Sequence, residues 1–137
     1  MVKILSDVRW KQRFQNYEKA FRLLSKLVAL KKPTEGERMG IIQAFEMSFE
    51  LAWKMMGDYL KEKGYTEKSP KDILKQAFHD GILQDGHVWI EALEHRNETV
   101  HVYDKKKAKE IEKKIKKTYT PALKDLYEYF KRESKKK

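Results

Sequence analysis

Apolar residues recur along this chain at steps of three and four almost from end to end, the pattern of helices that bury one face. Trp10, Phe14, Tyr17, Phe21, Leu24 and Val28 form the first stripe, so the spacing predicts a helix that begins near Asp7 and ends before Lys31, Lys32 and Pro33. Thr34 followed by Glu37 is a capping-box pattern: the hydroxyl accepts from an orphan amide while the carboxylate reaches back to the cap. It opens a second helix through Ile42, Phe45, Phe49, Trp53, Met56 and Leu60, which Gly64 stops. Ser69 and Pro70 supply an N-cap and a first-turn proline for a short third helix through Ile73, Leu74, Ala77 and Phe78. After a turn from Gly81 to Gly86, a fourth helix is expected to start between Asp85 and His87 and to run to about Tyr103. Asp104 then caps a fifth, with Ala108, Ile111, Ile115, Tyr119, Leu126 and Phe130 on its stripe and Pro121 expected to kink or restart it. The period-two alternation of strands is missing. The expected fold class is all-α: an antiparallel up-and-down bundle of four long helices plus one short helix. It forms a single domain over residues 1–137, with a Lys-rich tail from about residue 131.

Composition supports a packed bundle, since 6 Phe, 7 Tyr and 3 Trp supply a core while 6 Gly and 3 Pro leave little for loops. Zero Cys excludes disulfides, thiolate metal sites and a cysteine nucleophile. No stretch approaches the roughly 18 apolar residues that span a bilayer, so no membrane partner and a cytoplasmic location are expected. Charge is distributed unevenly. Lys and Arg exceed Asp and Glu by 17 to 15 through Tyr103 and by 14 to 6 from Asp104 onward. A basic segment attracts nucleic acid by displacing condensed counterions, which makes Lys113, Lys114, Lys116 and Lys117 candidate RNA contacts, against the simpler reading of a solvated basic face.

The fourth helix carries the polar residues that a plain bundle does not need. At about 100° per residue, Trp89, Leu93, Arg96, Val100 and Tyr103 share a face. Arg96 therefore stands in an apolar stripe. A guanidinium keeps its charge when desolvated, so it needs a carboxylate, a phosphate or an edge open to a cleft. Glu46, bordering the second helix's stripe, is a plausible partner, and Glu50 lies one turn on. Asn97 and His101 stand four residues apart, within side-chain reach, so the amide is placed to orient the imidazole. An imidazole that moves a proton beside a guanidinium that stabilises a phosphorane is the minimum for RNA cleavage without a metal. His79, His87, His95 and His101 form no H-x-x-x-H pair, and no metal site or bound cofactor is expected.

These residues have a collective resemblance. Gln43-Ala44-Phe45-Glu46, Glu50-Leu51-Ala52-Trp53-Lys54, Ser69-Pro70, Trp89 and Arg96-Asn97-x-x-x-His101-x-Tyr103, in that order, resemble the nucleotidyltransferase substrate-binding protein family of the HEPN superfamily, which is similar to the HepT-like toxins. The resemblance spans roughly Trp10 to Phe130. It implies a homodimer whose shared cleft is lined by Arg96 and His101 of both subunits, and a minimal nucleotidyltransferase as partner. It further implies a toxin ribonuclease in which Arg96 binds phosphate, His101 is general acid and base, and Tyr103 accepts AMP from the partner, which uses ATP, so that the toxin is silenced. The alternative it leaves is a non-catalytic subunit that presents a nucleotide or other acceptor to the transferase.

Overall fold

The computed structural model describes residues 2–98 and 104–136, and among these there are helices and no strand. The helices are α1 (Val2–Val28), α2 (Glu35–Glu62), α3 (Pro70–His79), α4 (Gly86–Glu98), α5 (Lys105–Lys114) and α6 (Thr120–Ser134), with a π-helical turn, Ile115–Tyr119, joining the last two. The all-α bundle expected from the spacing is therefore what the chain forms.

Local chemistry sets most of the helix ends. Thr34 and Glu37 make both bonds of the capping box, 3.1 Å from the Glu37 amide to Thr34 Oγ1 and 2.9 Å from the Thr34 amide to Glu37 Oε1. Ser69 caps α3 with Pro70 in its first turn, and Asp104 caps α5 by accepting from Lys106 and Lys107. Helices α2 and α3 end in the same way. Gly64 (φ 97°) and Gly81 (φ 79°) take the left-handed conformation that costs other residues strain, and the next amide, of Tyr65 or Ile82, bonds back five residues to Leu60 or Ala77. Two boundaries differ from expectation. Helix α1 starts at Val2, about one turn before Asp7, because nothing in the intervening sequence breaks a helix. Helix α6 continues to Ser134, so residues 131–134 are helical where a tail was expected. The expected continuation of α4 to Tyr103 lies outside the described residues.

Antiparallel packing of α1 on α2 follows from the ladder Trp10–Glu62, Arg13–Asp58 and Leu27–Gly40, in which one number rises as the other falls. Helix α6 runs antiparallel to α1: Trp10 meets Phe130, Phe14 stacks on Tyr127, and the buried Tyr17 hydroxyl donates to the Leu123 carbonyl at 2.6 Å. Along α2 the partners rise together, from Arg38–Glu112 through Phe45–Tyr119 to Tyr59–Glu133, so α5 and α6 lie parallel to it. Between these helices sits one continuous core, from Trp10 and Tyr17 through Phe45, Phe49 and Met56 to Leu126 and Phe130. Helix α4 closes its side by setting Trp89 against Phe49.

Pro121 restarts the helix, as expected, and the π-helical turn shows how. Proline lacks the amide that would bond four residues back, and its ring crowds that carbonyl. The backbone widens just before it, and the Thr120 amide reaches five residues back, to the Ile115 carbonyl.

Candidate functional site

Helix α4 projects Arg96 from its last described turn toward α2, where Glu50 meets it, with 2.5 Å between Nη2 and Oε2. The apolar half of the stripe behaves as its spacing implied, with Trp89 buried and Leu93 half-buried. The stripe reaches the surface at Arg96, whose side chain is 34% exposed. A guanidinium in an apolar stripe thus has both a carboxylate and an edge open to solvent. The carboxylate belongs to Glu50; Glu46, the first candidate, is half-buried one turn away. The reason is register, because Phe49 against Trp89 sets which turn of α2 faces the end of α4.

Glu50 is held on several sides. The Trp53 indole donates to Oε2 at 3.1 Å, and Lys54 Nζ lies 3.5 Å from Oε1. Burial by itself pushes this carboxyl up, but the indole bond and the Arg96 and Lys54 charges outweigh it and hold the group below its usual 4.5. Arg96 Nη1 donates to the Asn97 amide oxygen at 3.1 Å, so Asn97, expected to orient His101, engages Arg96. His101 and Tyr103 lie outside the described residues. Of the six residues singled out from sequence, the structure brings Arg96, Asn97 and Glu50 together and leaves Glu46 beside them.

The depressed carboxyl has a thermodynamic consequence. A group with a lowered folded-state pKa contributes stability that is present above its unfolded value and lost as pH falls through the folded one. Glu91, Glu112 and Glu133 are shifted down as well, each facing a lysine. Urea midpoints should therefore hold steady above about pH 5 and fall as pH drops below about 4.5. In Glu50→Gln the fall should be shallower, the pair itself contributing about 1 kcal/mol or less because both side chains are a third exposed. A parallel acid limb in both proteins would show that the Arg96–Glu50 pair adds nothing.

One polar cluster goes beyond what the sequence pattern reveals. The Tyr119 hydroxyl, at the end of the π-helical turn, lies 2.9 Å from Glu91 Oε1 and 2.5 Å from His95 Nδ1, and Lys114 Nζ lies 2.8 Å from the same Glu91 oxygen. A hydroxyl has one proton. With it on the Glu91 side, His95 Nδ1–H donates to the tyrosine oxygen, which fixes the imidazole next to Arg96. Phe45 stacks on the Tyr119 ring from the core side at 5.4 Å. The four-residue spacing of Glu91 and His95 is a visible signal; the register of Tyr119, which depends on the π-helical turn, is not. Lys114 and also Lys116, through Glu112, are thus ion-paired, so two of the four candidate RNA-binding lysines of the basic segment are engaged within the protein. Among the described residues, no group of three or more His, Asp or Glu side chains is gathered to hold a metal, and no helix is long and apolar enough to cross a membrane.

Known proteins resemble this bundle over most of its length. A crystal structure from Thermus thermophilus superposes with a TM-score of 0.74 at 31% identity, covering 88% of this chain and 99% of that one. A probable ribonuclease HepT of Haemophilus influenzae is 36% identical over 74 residues, which are 50% of this chain. The match takes in 51% of that protein, so the chain spans about half the length of the curated relative it matches. The family model described as nucleotidyltransferase substrate binding protein like matches residues 12–132, nearly the whole bundle and all of the Arg96 site, and the chain belongs to that family.

Proposed function

We propose that this protein is a HepT-like toxin ribonuclease that works in the cytoplasm as a homodimer and is silenced by a partner nucleotidyltransferase. The observation that carries the reading is Arg96, anchored by Glu50 yet partly exposed, at the head of the Arg96-x4-His101-x-Tyr103 sequence. The similarity to a probable ribonuclease HepT supports it.

In this reading Arg96 binds the scissile phosphate and stabilises the negative charge that grows on it. His101 takes the proton of the ribose 2′-hydroxyl as that oxygen attacks phosphorus. The bond to the 5′-oxygen breaks, and that oxygen leaves with a proton returned by an imidazolium, from the same or the partner subunit. Nothing in this proton inventory calls for a metal. The Tyr103 hydroxyl is the acceptor of AMP. In this reading a phosphodiester attached there is an anion that Arg96 binds through charge-assisted bonds in place of the RNA phosphate.

Two experiments test this. Purified wild-type protein should cut RNA in the presence of chelator, and His101→Ala should not. After incubation with the cognate transferase and ATP, intact-mass analysis should find an AMP adduct on the wild type but none on Tyr103→Phe, which should go on cutting. If the wild type cuts no RNA while still binding the transferase, the non-catalytic substrate-binding subunit suggested by the family's description becomes the better account.

A further inference from the structure

Helices α3 and α4 leave between them a groove of about 470 Å³ that the site above does not use. Leu74, Phe78 and Ile90 form its apolar surface, and Lys75, His79, His87 and Asp85 its polar rim. Phe78 is 50% exposed, and it is the aromatic one among the exposed large apolar side chains, the others being Leu23, Met39 and Met47 among the described residues. Its ring is backed by the α4 backbone: a β-carbon added at Gly86 would lie 3.1 Å from its Cγ. The glycine thus lets the ring settle against the start of α4.

Charge accompanies the ring. Lys71 and Lys75 stand one turn apart on α3, and Phe78, seven residues after Lys71, falls within about 20° of it around the axis. Both lysines are exposed and make no ion pair among the described residues. Of the nearby acids, Asp80 accepts from Tyr65 and Gln76, Asp85 caps the first turn of α4 through the amides of His87 and Val88, and Asp72 stands exposed beside Lys71 in the first turn of α3. An aromatic face beside two lysines that make no ion pair is an arrangement that holds single-stranded nucleic acid, the base stacking on the ring and the phosphates following the lysines. A flat apolar protein contact has no comparable use for the lysines. Along α4, Asn97 lies seven residues beyond Ile90, about 10 Å further on and about 20° around the axis, while Arg96 lies about 120° around from Ile90, toward α2, so a strand leaving the groove crosses the end of α4 to reach it.

We infer that the α3–α4 groove binds an unpaired nucleotide of single-stranded RNA, with its base on Phe78 and its phosphates on Lys71 and Lys75, while a neighbouring stretch of the same strand reaches Arg96. This rests on the ribonuclease reading in taking RNA as the ligand, and binding separates the two. Fluorescence anisotropy with a labelled 12-nucleotide oligouridylate should show Phe78→Ala weakening binding about tenfold, as the loss of one stacked base does, and Phe78→Trp retaining it. The pair Lys71→Gln with Lys75→Gln should reduce the slope of log affinity against log salt by about 1.4. Thermal melts establish that these surface variants remain folded. If wild type binds and cuts the oligomer while Phe78→Ala binds it equally well, the groove is not the site and the ribonuclease reading stands. A fall of Phe78→Ala from dimer to monomer in light scattering, with unchanged RNA affinity, would assign the groove to a second copy of the chain. A wild type that neither binds nor cuts RNA overturns both.

Discussion

Under the proposed ribonuclease function, Arg96→Ala is expected to lower single-turnover RNA cleavage by at least about a hundredfold, the usual cost of removing a group aimed at developing transition-state charge. Arg96→Lys should recover only part of that loss, because an ammonium presents a point charge where the guanidinium presents a planar fork. Fold stability should barely change, since the pair with Glu50 is a third exposed on both sides and is worth about 1 kcal/mol or less. That contrast is the diagnostic: a large kinetic effect with an unmoved urea midpoint places Arg96 at the reacting phosphate. Cleavage by Arg96→Ala at the wild-type rate would leave the arginine as a structural tie between α2 and α4.

Phe130→Ala should have the largest effect on the fold. The ring is fully buried near the end of α6, 5.1 Å from Tyr59 in an edge-on contact and 5.4 Å from Trp10, so it joins α6 to both α1 and α2. Truncating such a ring removes its transfer energy and leaves a cavity, together about 3–5 kcal/mol. Against a total of about 5–15 kcal/mol for an ordinary domain, that is enough to leave a visible unfolded fraction at moderate temperature. Urea titration followed by tryptophan fluorescence would measure it, because Trp10 lies against the missing ring. A loss under about 1 kcal/mol would mean that α6 contributes little beyond Leu126.

Helix ends are legible in the sequence because their causes are local. The Thr34–Glu37 box, the Ser69–Pro70 start and the Asp104 cap each involve residues within one turn, and the structure forms all three. The periodic stripe likewise identifies which faces are buried. What sequence spacing cannot supply is the axial register of one helix on another. Glu46 and Glu50 are separated by a single turn and are equally compatible with the stripe; the choice of Glu50 follows from how Phe49 meets Trp89. The end of α6 departs from expectation for a different reason. Lys131, Arg132 and the charges after them look like a solvated tail, yet Phe130 anchors the helix and the Ser134 hydroxyl bonds the Lys131 carbonyl at 2.8 Å. The spacing marks Tyr119 as a core ring, and its ring is one; that its hydroxyl meets His95 depends on backbone geometry that no residue pattern announces.

The π-helical turn before Pro121 has a consequence for phase. Ile111, Ile115, Tyr119 and Leu123 are all buried and spaced by four, and in an unbroken α-helix each such step drifts about 40° around the axis. Three steps would carry the seam about 120° away from where it began, off the core and into solvent. A turn closed by a bond to the fifth residue back advances less per residue, so Tyr119 falls more nearly under Ile115 than an ordinary turn would allow. The drift is taken out in the middle of the segment, and two helices with different starting angles address the same interior. The same sequence crossing 115–119 as an ordinary α-helix would keep its composition, caps and charges, and would turn Leu123, Leu126 and Phe130 away from the core.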